Sequence, residues 1–318
     1  MTSYTWSAGS PGNANNASNW TPSAVPGASD DVIFDSTSIH DCIWDIAQIG
    51  AIDIREAFPG TVDFQVDITA IQGLKVSRAG PMFTSGARRL TFSGTPAHNS
   101  GATYILLGTS DSPFPSATER GHFTFQFAPT GRVSYDCGIY PSMEMTSGTH
   151  SADFVTPTVS GATEIKALRL RVTSGVTFAP ASAVPTANDR AKKWTLEDTT
   201  QSQFDIESDT FDGGYATWTF TAMASGIVLP TDGSTAYGGS TGCEFTFRKM
   251  VITTATAGHW AKVEGANTLI LNDLTIEKGV AVKGDDSLGS AIHLVNRPNI
   301  KGTWGFHPIA DGIYHYKS

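Results

Sequence analysis

The sequence is short of charge, of cysteine and of helix-forming windows, and each shortage excludes something. Only 16% of its 318 residues are charged, and no window combines the Glu, Lys, Arg, Ala and Leu that long soluble helices need. The three cysteines, Cys42, Cys137 and Cys243, stand far apart without a C-x-x-C pair. Neither a zinc site nor a dithiol redox motif is encoded, and buried free thiols are expected. No apolar run approaches the length of a membrane span. Met1-Thr2-Ser3-Tyr4-Thr5-Trp6 lacks the basic region and apolar core of a secretory leader, so the expectation is assembly in a cytoplasm. The net charge is −9, and basic residues cluster only at Arg88-Arg89, Arg190 to Lys193 and Arg248-Lys249. Each cluster lies in or beside a strand-like run, which argues for solvated strand faces and against nucleic-acid binding.

What is present is turn chemistry and β-formers. There are 32 glycines and 16 prolines, and Thr, Ser, Val, Ile and Phe fill the stretches between them. Period-two alternation recurs: Ile52 and Ile54; Val62, Phe64, Val66 and Ile68; Leu90 and Phe92; Phe123, Phe125 and Phe127; Leu168, Leu170 and Val172; Trp218 and Phe220; Leu269 and Leu271; Ile292 and Leu294. Strands so short suit a stack in which every rung adds a few inward side chains. The expected class is therefore all-β, a right-handed parallel β-helix or solenoid with an extended N-terminal arm; tandem β-sandwich or jelly-roll domains are the alternative.

The expected organisation is an arm over 1–30, a β-helix-like part over 31–140, a loop-rich connection over 141–162 with Pro141 and Pro157, and a β-helix-like part over 163–318 ending in an aromatic cap. A second loop-rich stretch spans about 94–120, with Pro96, Pro113 and Pro115. The arm is Asn, Ser, Gly, Pro and Ala around Trp6 and Trp20, too poor in apolar residues to fold by itself. It must lie on the body of the chain or on a neighbour, pinned by the tryptophans. A weak repeat reads strand, glycine turn, strand, loop, strand: Leu74 to Val76, Gly80, Phe83, Leu90 to Phe92; then Leu170 to Val172, Gly175, Phe178, Trp194 to Leu196; then Leu274 to Ile276, Gly279, Val280 to Val282, Ile292 to Leu294. Chance similarity among β-rich segments is its alternative.

The N-terminal third carries a resemblance. Trp6-x-x-Gly9, Gly12-Asn13, Asn16-Ala17-Ser18-Asn19-Trp20 and Val25-Pro26-Gly27-Ala28-Ser29-Asp30-Asp31-Val32-Ile33-Phe34-Asp35 resemble a module at the start of many phage virion proteins and bacterial surface β-helix proteins. Cys42-Ile43-Trp44-Asp45, Ile52-Asp53-Ile54 and Gly60 to Phe64 continue it. The motif covers about a tenth of the chain and implies β-helix rungs, but it is weak for function. The missing leader and missing membrane-anchoring barrel favour the phage version.

Residues able to carry chemistry are dispersed along the sequence. Asp30 with Asp31, Asp63 with Asp67, Asp205 with Glu207 and Asp209, and Asp285 with Asp286 are the carboxylate pairs that glycan cleavage or calcium binding would need. Asp63 and Asp67, and likewise Asp205, Glu207 and Asp209, alternate with apolar residues as outward faces; a calcium site on the latter is the sharper alternative. Asp285-Asp286 reads as a turn. His40 adjoins Asp41, but no nucleophile elbow, H-E-x-x-H or phosphate loop accompanies them. His293 reads as a packed strand residue. Asn16-Ala17-Ser18 fits the glycosylation triplet but has no leader to deliver it. No catalytic, cofactor-binding or metal-binding residue is assigned.

The candidate partner-binding residues are Trp6, Trp20, Trp304, Phe306, Tyr314 and Tyr316; the last four, with His307 and His315, make either an aromatic cap or a docking surface. The functional expectation is a non-enzymatic virion structural protein of a bacteriophage, a capsid decoration or cement protein. Its expected partners are itself as a homotrimer and the major capsid protein or other virion proteins, without nucleic acid or membrane. One alternative is a tailspike or adhesin binding host glycans through loop aromatics such as Phe114, Tyr140, Tyr215 and Tyr237; the other is a bacterial surface β-helix protein.

Overall fold

A computed structural model describes residues 1–98, 103–107, 112–154, 163–173, 175–180, 193–197, 204–206, 210–213, 216–221, 227–229, 244–253, 259–263, 268–276, 280–284, 291–294, 299–300, 303–304 and 314–316. Among these the chain is all-β. Helical structure is confined to a 3-10 turn at Ala17–Asn19 and a short helix at Ala117–Gly121, and no helix is long and apolar enough to cross a membrane. Contacts divide the chain into two units, the first built on Met1–Glu144 and the second on Met145–Asp153 and Thr163–Ser318.

In the first unit the chain returns again and again to the same three sheets. Strand β1 (Ser3–Trp6) starts the first sheet, β2 (Gly12–Asn13) starts the second, and β3 (Trp20–Thr21) folds back antiparallel on β1. Strand β4 (Asp31–Phe34) then lies parallel on β1, and β5 (Cys42–Trp44) lies parallel on β2. β6 (Ala51–Ile54) returns to β4, and β7 (Val62–Phe64) returns to β5. β8 (Ile68–Ile71) opens the third sheet; β9 (Gly73–Val76) returns to β6, β10 (Phe83–Ser85) to β7, and β11 (Arg88–Gly94) to β8. β12 (Ile105–Leu107) returns to β9, and β13 (Phe123–Pro129) follows the short helix and returns to β11. Every return is parallel, which sets the molecule apart from the antiparallel sandwich or jelly-roll alternative.

The register explains why short strands suffice. Val32, Ile52, Leu74 and Ile105 fall opposite one another, as do Phe34, Ile54, Val76 and Leu107, and all are buried. The residues between them, Ile33, Asp53, Lys75 and Leu106, form the outward row. Each rung thus adds two inward apolar side chains per strand, at about 1.5–3 kcal/mol for each fully buried one. The first repeat read in the sequence is one such circuit: Leu74 to Val76, Phe83, and Leu90 to Phe92 lie on three different sheets. Its corner glycine Gly80 has φ +86°, and Gly175 of the second repeat has φ +78°, a backbone region that costs L side chains about 1 kcal/mol or more.

Three expectations are corrected by the structure. Residues 62–68 do not form one alternating strand, because the chain turns a corner at Gln65 to Asp67 and enters another sheet. The stretch 141–162 is not simply a connection: Ser142–Met145 and Thr149–Phe154 are strands. All four residues Ser142, Met143, Glu144 and Met145 are buried, so no alternation betrayed the strand. Residues 1–30 do not extend away as an arm. They lie on the body as β1 to β3, because Trp6 and Trp20 bury their rings against Phe34 inside the first rungs.

The second unit has the same parallel logic. One row runs Glu164–Ala167, Lys193–Leu196 and Thr217–Thr221; another includes Thr177–Ala179 and Thr210–Asp212. Both rows meet on the long strand Glu244–Thr253, the first against its second half and the second against its first half. Thr268–Ile276 continues it, followed by Ala291–Leu294 and Tyr314–Tyr316. A separate sheet stacks Ile227–Leu229, His259–Val263, Val280–Gly284 and Thr303–Trp304.

Candidate functional site

The carboxylates that chemistry would need are dispersed, and several extend the backbone ladder from one rung to the next. Asp30 Oδ1 accepts the Thr2 N–H at 2.7 Å, and Asp41 Oδ1 accepts the Thr61 N–H at 2.7 Å. Asp45 Oδ1 accepts the Asn15 N–H at 2.7 Å, and Asp67 Oδ1 accepts the Arg89 N–H at 2.9 Å. Each aspartate flanks one strand and each donor belongs to or flanks the strand beside it. The carboxylate therefore stands where a carbonyl would continue the ladder, and satisfies an otherwise orphaned donor with a charge-assisted bond. Backbone donors from Gly27 and Thr2 hold the Asp30 carboxyl below its ordinary pKa, whereas burial pushes that of its neighbour Asp31 up.

Asp63 and Asp67, expected on one strand face, are separated by the corner; Asp63 accepts from the Gln65 amide. The backbone of Asp205 is in the strand Phe204–Ile206, while Glu207, Asp209, Asp285 and Asp286 lie outside the described residues. No group of three or more His, Cys, Asp or Glu able to hold a metal occurs among the described residues. His40 supplies its carbonyl to the Trp6 indole N–H at 2.9 Å. Cys42 and Cys137 are free and buried, and burial pushes the Cys42 thiol well up; Cys243 lies outside the described residues.

Of the partner-binding candidates, Trp6 is 0% and Trp20 2% exposed, so neither indole is available to another chain. The rings meet edge-on at 5.0 Å, and their N–H groups are satisfied internally, Trp20 donating to the Ala14 carbonyl. Burying two indoles in the first rungs removes large apolar area from water, which outweighs presenting it to a partner not yet bound. The backbones of Trp304, Tyr314 and Tyr316 are in strands, that of His293 and His315 likewise; Phe306 and His307 lie outside the described residues. The sugar-stacking candidates Phe114 and Tyr140 are buried at 3% and 0% exposure, and Tyr215 and Tyr237 lie outside the described residues.

Two constellations escaped sequence reasoning. The first is a buried polar knot: Asp136 Oδ2 accepts the Leu107 N–H at 3.0 Å, the Tyr140 hydroxyl donates to the Asp136 carbonyl at 2.7 Å, and Arg120 Nε donates to the Tyr140 carbonyl at 2.6 Å. Its legible signal was Ser116-x-x-Glu119, a helix cap in which the Ser116 hydroxyl accepts the Glu119 N–H and so places Arg120.

The second is a polar cleft of about 450 Å³ at the start of the chain, lined chiefly by Ser10, Asn13, Asn15, Asn16, Asn19 and Asp45. Its walls are fixed from within. Asn13 Nδ2 donates to Asp45 Oδ2 at 3.0 Å, Asn19 Nδ2 donates to the Asn13 carbonyl at 3.0 Å, and Asn16 Oδ1 accepts from both the Ser18 N–H and hydroxyl. A Cβ at Gly12 would come within 2.6 Å of the Asn19 amide nitrogen, so a side chain there would displace that wall.

Comparisons with protein-family models, curated proteins and solved structures give no match to this chain.

Proposed function

We propose that this chain is a right-handed parallel β-helix serving as a non-catalytic structural subunit of a bacteriophage virion, a decoration protein bound to the major capsid protein as a homotrimer. The observation that carries the structural part is the rung-to-rung cross-linking of the first unit, where strand-flanking aspartates and an outward ion ladder tie each circuit to the next. In that ladder Arg55 meets Asp35 at 3.5 Å and Asp53 at 3.2 Å, and Lys75 meets Asp53 at 3.8 Å. Such a body resists distortion along the stack and suits a passive load-bearing part. The right hand follows from the strong chirality preference of parallel crossovers. The virion assignment rests on the N-terminal module described above.

The surface chemistry shapes how attachment works. Among the described residues the exposed large apolar side chains are Met1, Val25 and Ile39, which do not make a sticky patch. Attachment through these regions is polar, so it weakens as salt is raised. The test is cryo-electron microscopy of the particle that carries the chain. Density in repeated three-fold clusters on an icosahedral shell supports the reading; density confined to the tail, or none on any particle, overturns it.

A further inference from the structure

We propose that the asparagine-lined cleft of the first rungs is a binding site for a neutral, hydroxyl-rich ligand, a saccharide unit of a glycan. The inference stands on the cleft alone and is independent of the virion role.

Once the walls are built, several hydrogen-bonding groups are left over. Asn13 has used its Nδ2 on Asp45 and retains Oδ1; Asn19 has used its Nδ2 on the Asn13 carbonyl and retains Oδ1. Asn16 has used Oδ1 on Ser18 and retains its NH2 group. The Asn15 side-chain amide makes no hydrogen bond among the described residues; Asp45 holds its backbone N–H instead. Acceptors and donors are therefore both present in one concavity, and the amides of Asn13, Asn16 and Asn19 are each oriented by a partner behind them. A sugar hydroxyl both donates and accepts, so a ring carrying several of them matches a mixed set of amides better than any ligand with one kind of group.

Other ligand classes fit less well. An anion finds no cation in the lining and meets the carboxylate of Asp45. A cation finds one carboxylate, both of whose oxygens are already engaged, by Asn13 Nδ2 and the Asn15 N–H. An apolar group finds amides, a hydroxyl, a carboxylate and glycine backbone, with Pro11 the one apolar side chain in the lining. An extended peptide could only add to β2, which is two residues long and preceded by Pro11, whose nitrogen has no hydrogen to donate. The volume lies within the ordinary range for small-ligand sites, roughly 300–1,000 Å³. Preorganisation matters most: the second wall residue Asn19 precedes the buried Trp20, so the cleft inherits the rigidity of the core.

The test uses the full chain against an immobilised panel of neutral and anionic oligosaccharides, followed by saturation-transfer NMR with any sugar retained. Asn15→Ala removes an exposed amide with no internal bond, so its melting temperature should match the parent, while affinity falls about tenfold for the loss of one or two hydrogen bonds. Asn15→Trp should fill the cleft and abolish binding. Saturable binding of a neutral sugar, lowered by Asn15→Ala and lost in Asn15→Trp with unchanged melting, is the expected result. No retention of any sugar, retention only of anionic sugars, or binding indifferent to both substitutions overturns the proposal.

Discussion

The two units pack their aromatic residues in different ways, and the difference comes from register. In the first unit the rings form a mesh of tilted and edge-on contacts: Trp6 on Trp20 at 71°, Trp20 on Phe34 at 68°, Phe64 on Phe123 at 89°. In the second unit two flat stacks, Trp194 on Trp218 at 4.9 Å and 2° and Phe178 on Phe211 at 4.6 Å and 6°, meet one another edge-on, Phe178 on Trp194 at 71° and Phe211 on Trp218 at 74°. The stacked pairs are register partners on adjacent parallel strands. Identical side chains with the same rotamer are then spaced by the interstrand distance, about 4.8 Å, which is a stacking distance. The first unit obeys the same rule where it can, since Phe92 and Phe127 are register partners and stack at 16°. Unlike partners do not: Trp44 and Phe64 are in register yet lie at 46°. Elsewhere the mesh lacks that parallel register: Trp6 and Trp20 face one another on antiparallel strands, Phe64 and Phe83 are diagonal neighbours, and Phe64 and Phe123 belong to different sheets.

The largest expected effect breaks the mesh. Trp20→Ala should cost about 3–5 kcal/mol, as for other buried aromatic truncations, because it opens a cavity and strands the Ala14 carbonyl. Urea denaturation followed by circular dichroism measures the loss, and hydrogen exchange should place it in the first unit. A change below about 1 kcal/mol would mean that residues 1–30 are not part of that unit's cooperative core.

Acid should act on the second unit next most strongly. Burial pushes the pKa of His150 down from 6.5 to about 4 although the imidazole nitrogen meets the Ser147 carbonyl at 2.8 Å. The native state therefore keeps the ring neutral, while the unfolded chain takes up a proton below pH 6.5. Stability is fully present above that value and falls as the pH drops toward 4, by on the order of 3 kcal/mol. Denaturation midpoints across this window should show the slope, and His150→Gln should flatten it.

A smaller effect sharpens the comparison itself. A double-mutant cycle on Trp194 and Trp218 should give a coupling of about 1 kcal/mol beyond area burial, and Trp218→Phe should keep most of it. If the cycle on Trp6 and Trp20 gives the same coupling, stacking geometry adds nothing over edge-on packing. The smallest effect belongs to the outward ladder. Arg55 is half exposed, so Arg55→Ala should cost less than about 1 kcal/mol and less still in high salt. A larger loss would make the ladder a principal stabiliser of the first unit.

Much of the fold is legible in the sequence. Alternation at Ile52 and Ile54, Leu90 and Phe92, and Phe123 to Phe127 marked strands and their inward faces, because a strand with one buried face must alternate. Gly80 and Gly175 marked corners, because they take backbone angles that other residues resist. Alternation failed at Ser142 to Met145, buried on every position, and at Val62 to Ile68, where the pattern crosses a corner that no glycine or proline announces. The cleft was legible only as a run of asparagines, since its meaning depends on Asp45, thirty residues beyond the Asn15 N–H that it holds.

The sequence by itself determined the all-β class, the inward faces and the need for Trp6 and Trp20 to be covered, since these follow from local propensity and from the cost of exposing apolar area. Only the tertiary structure decided that the chain's own body covers them, that the strands pair in parallel, that aspartates serve as rung-to-rung links, and that four asparagines converge on one cleft. Those outcomes depend on which residues meet across twenty to thirty positions of chain, and that is set by register between rungs, a property of the stack as a whole that no single strand encodes.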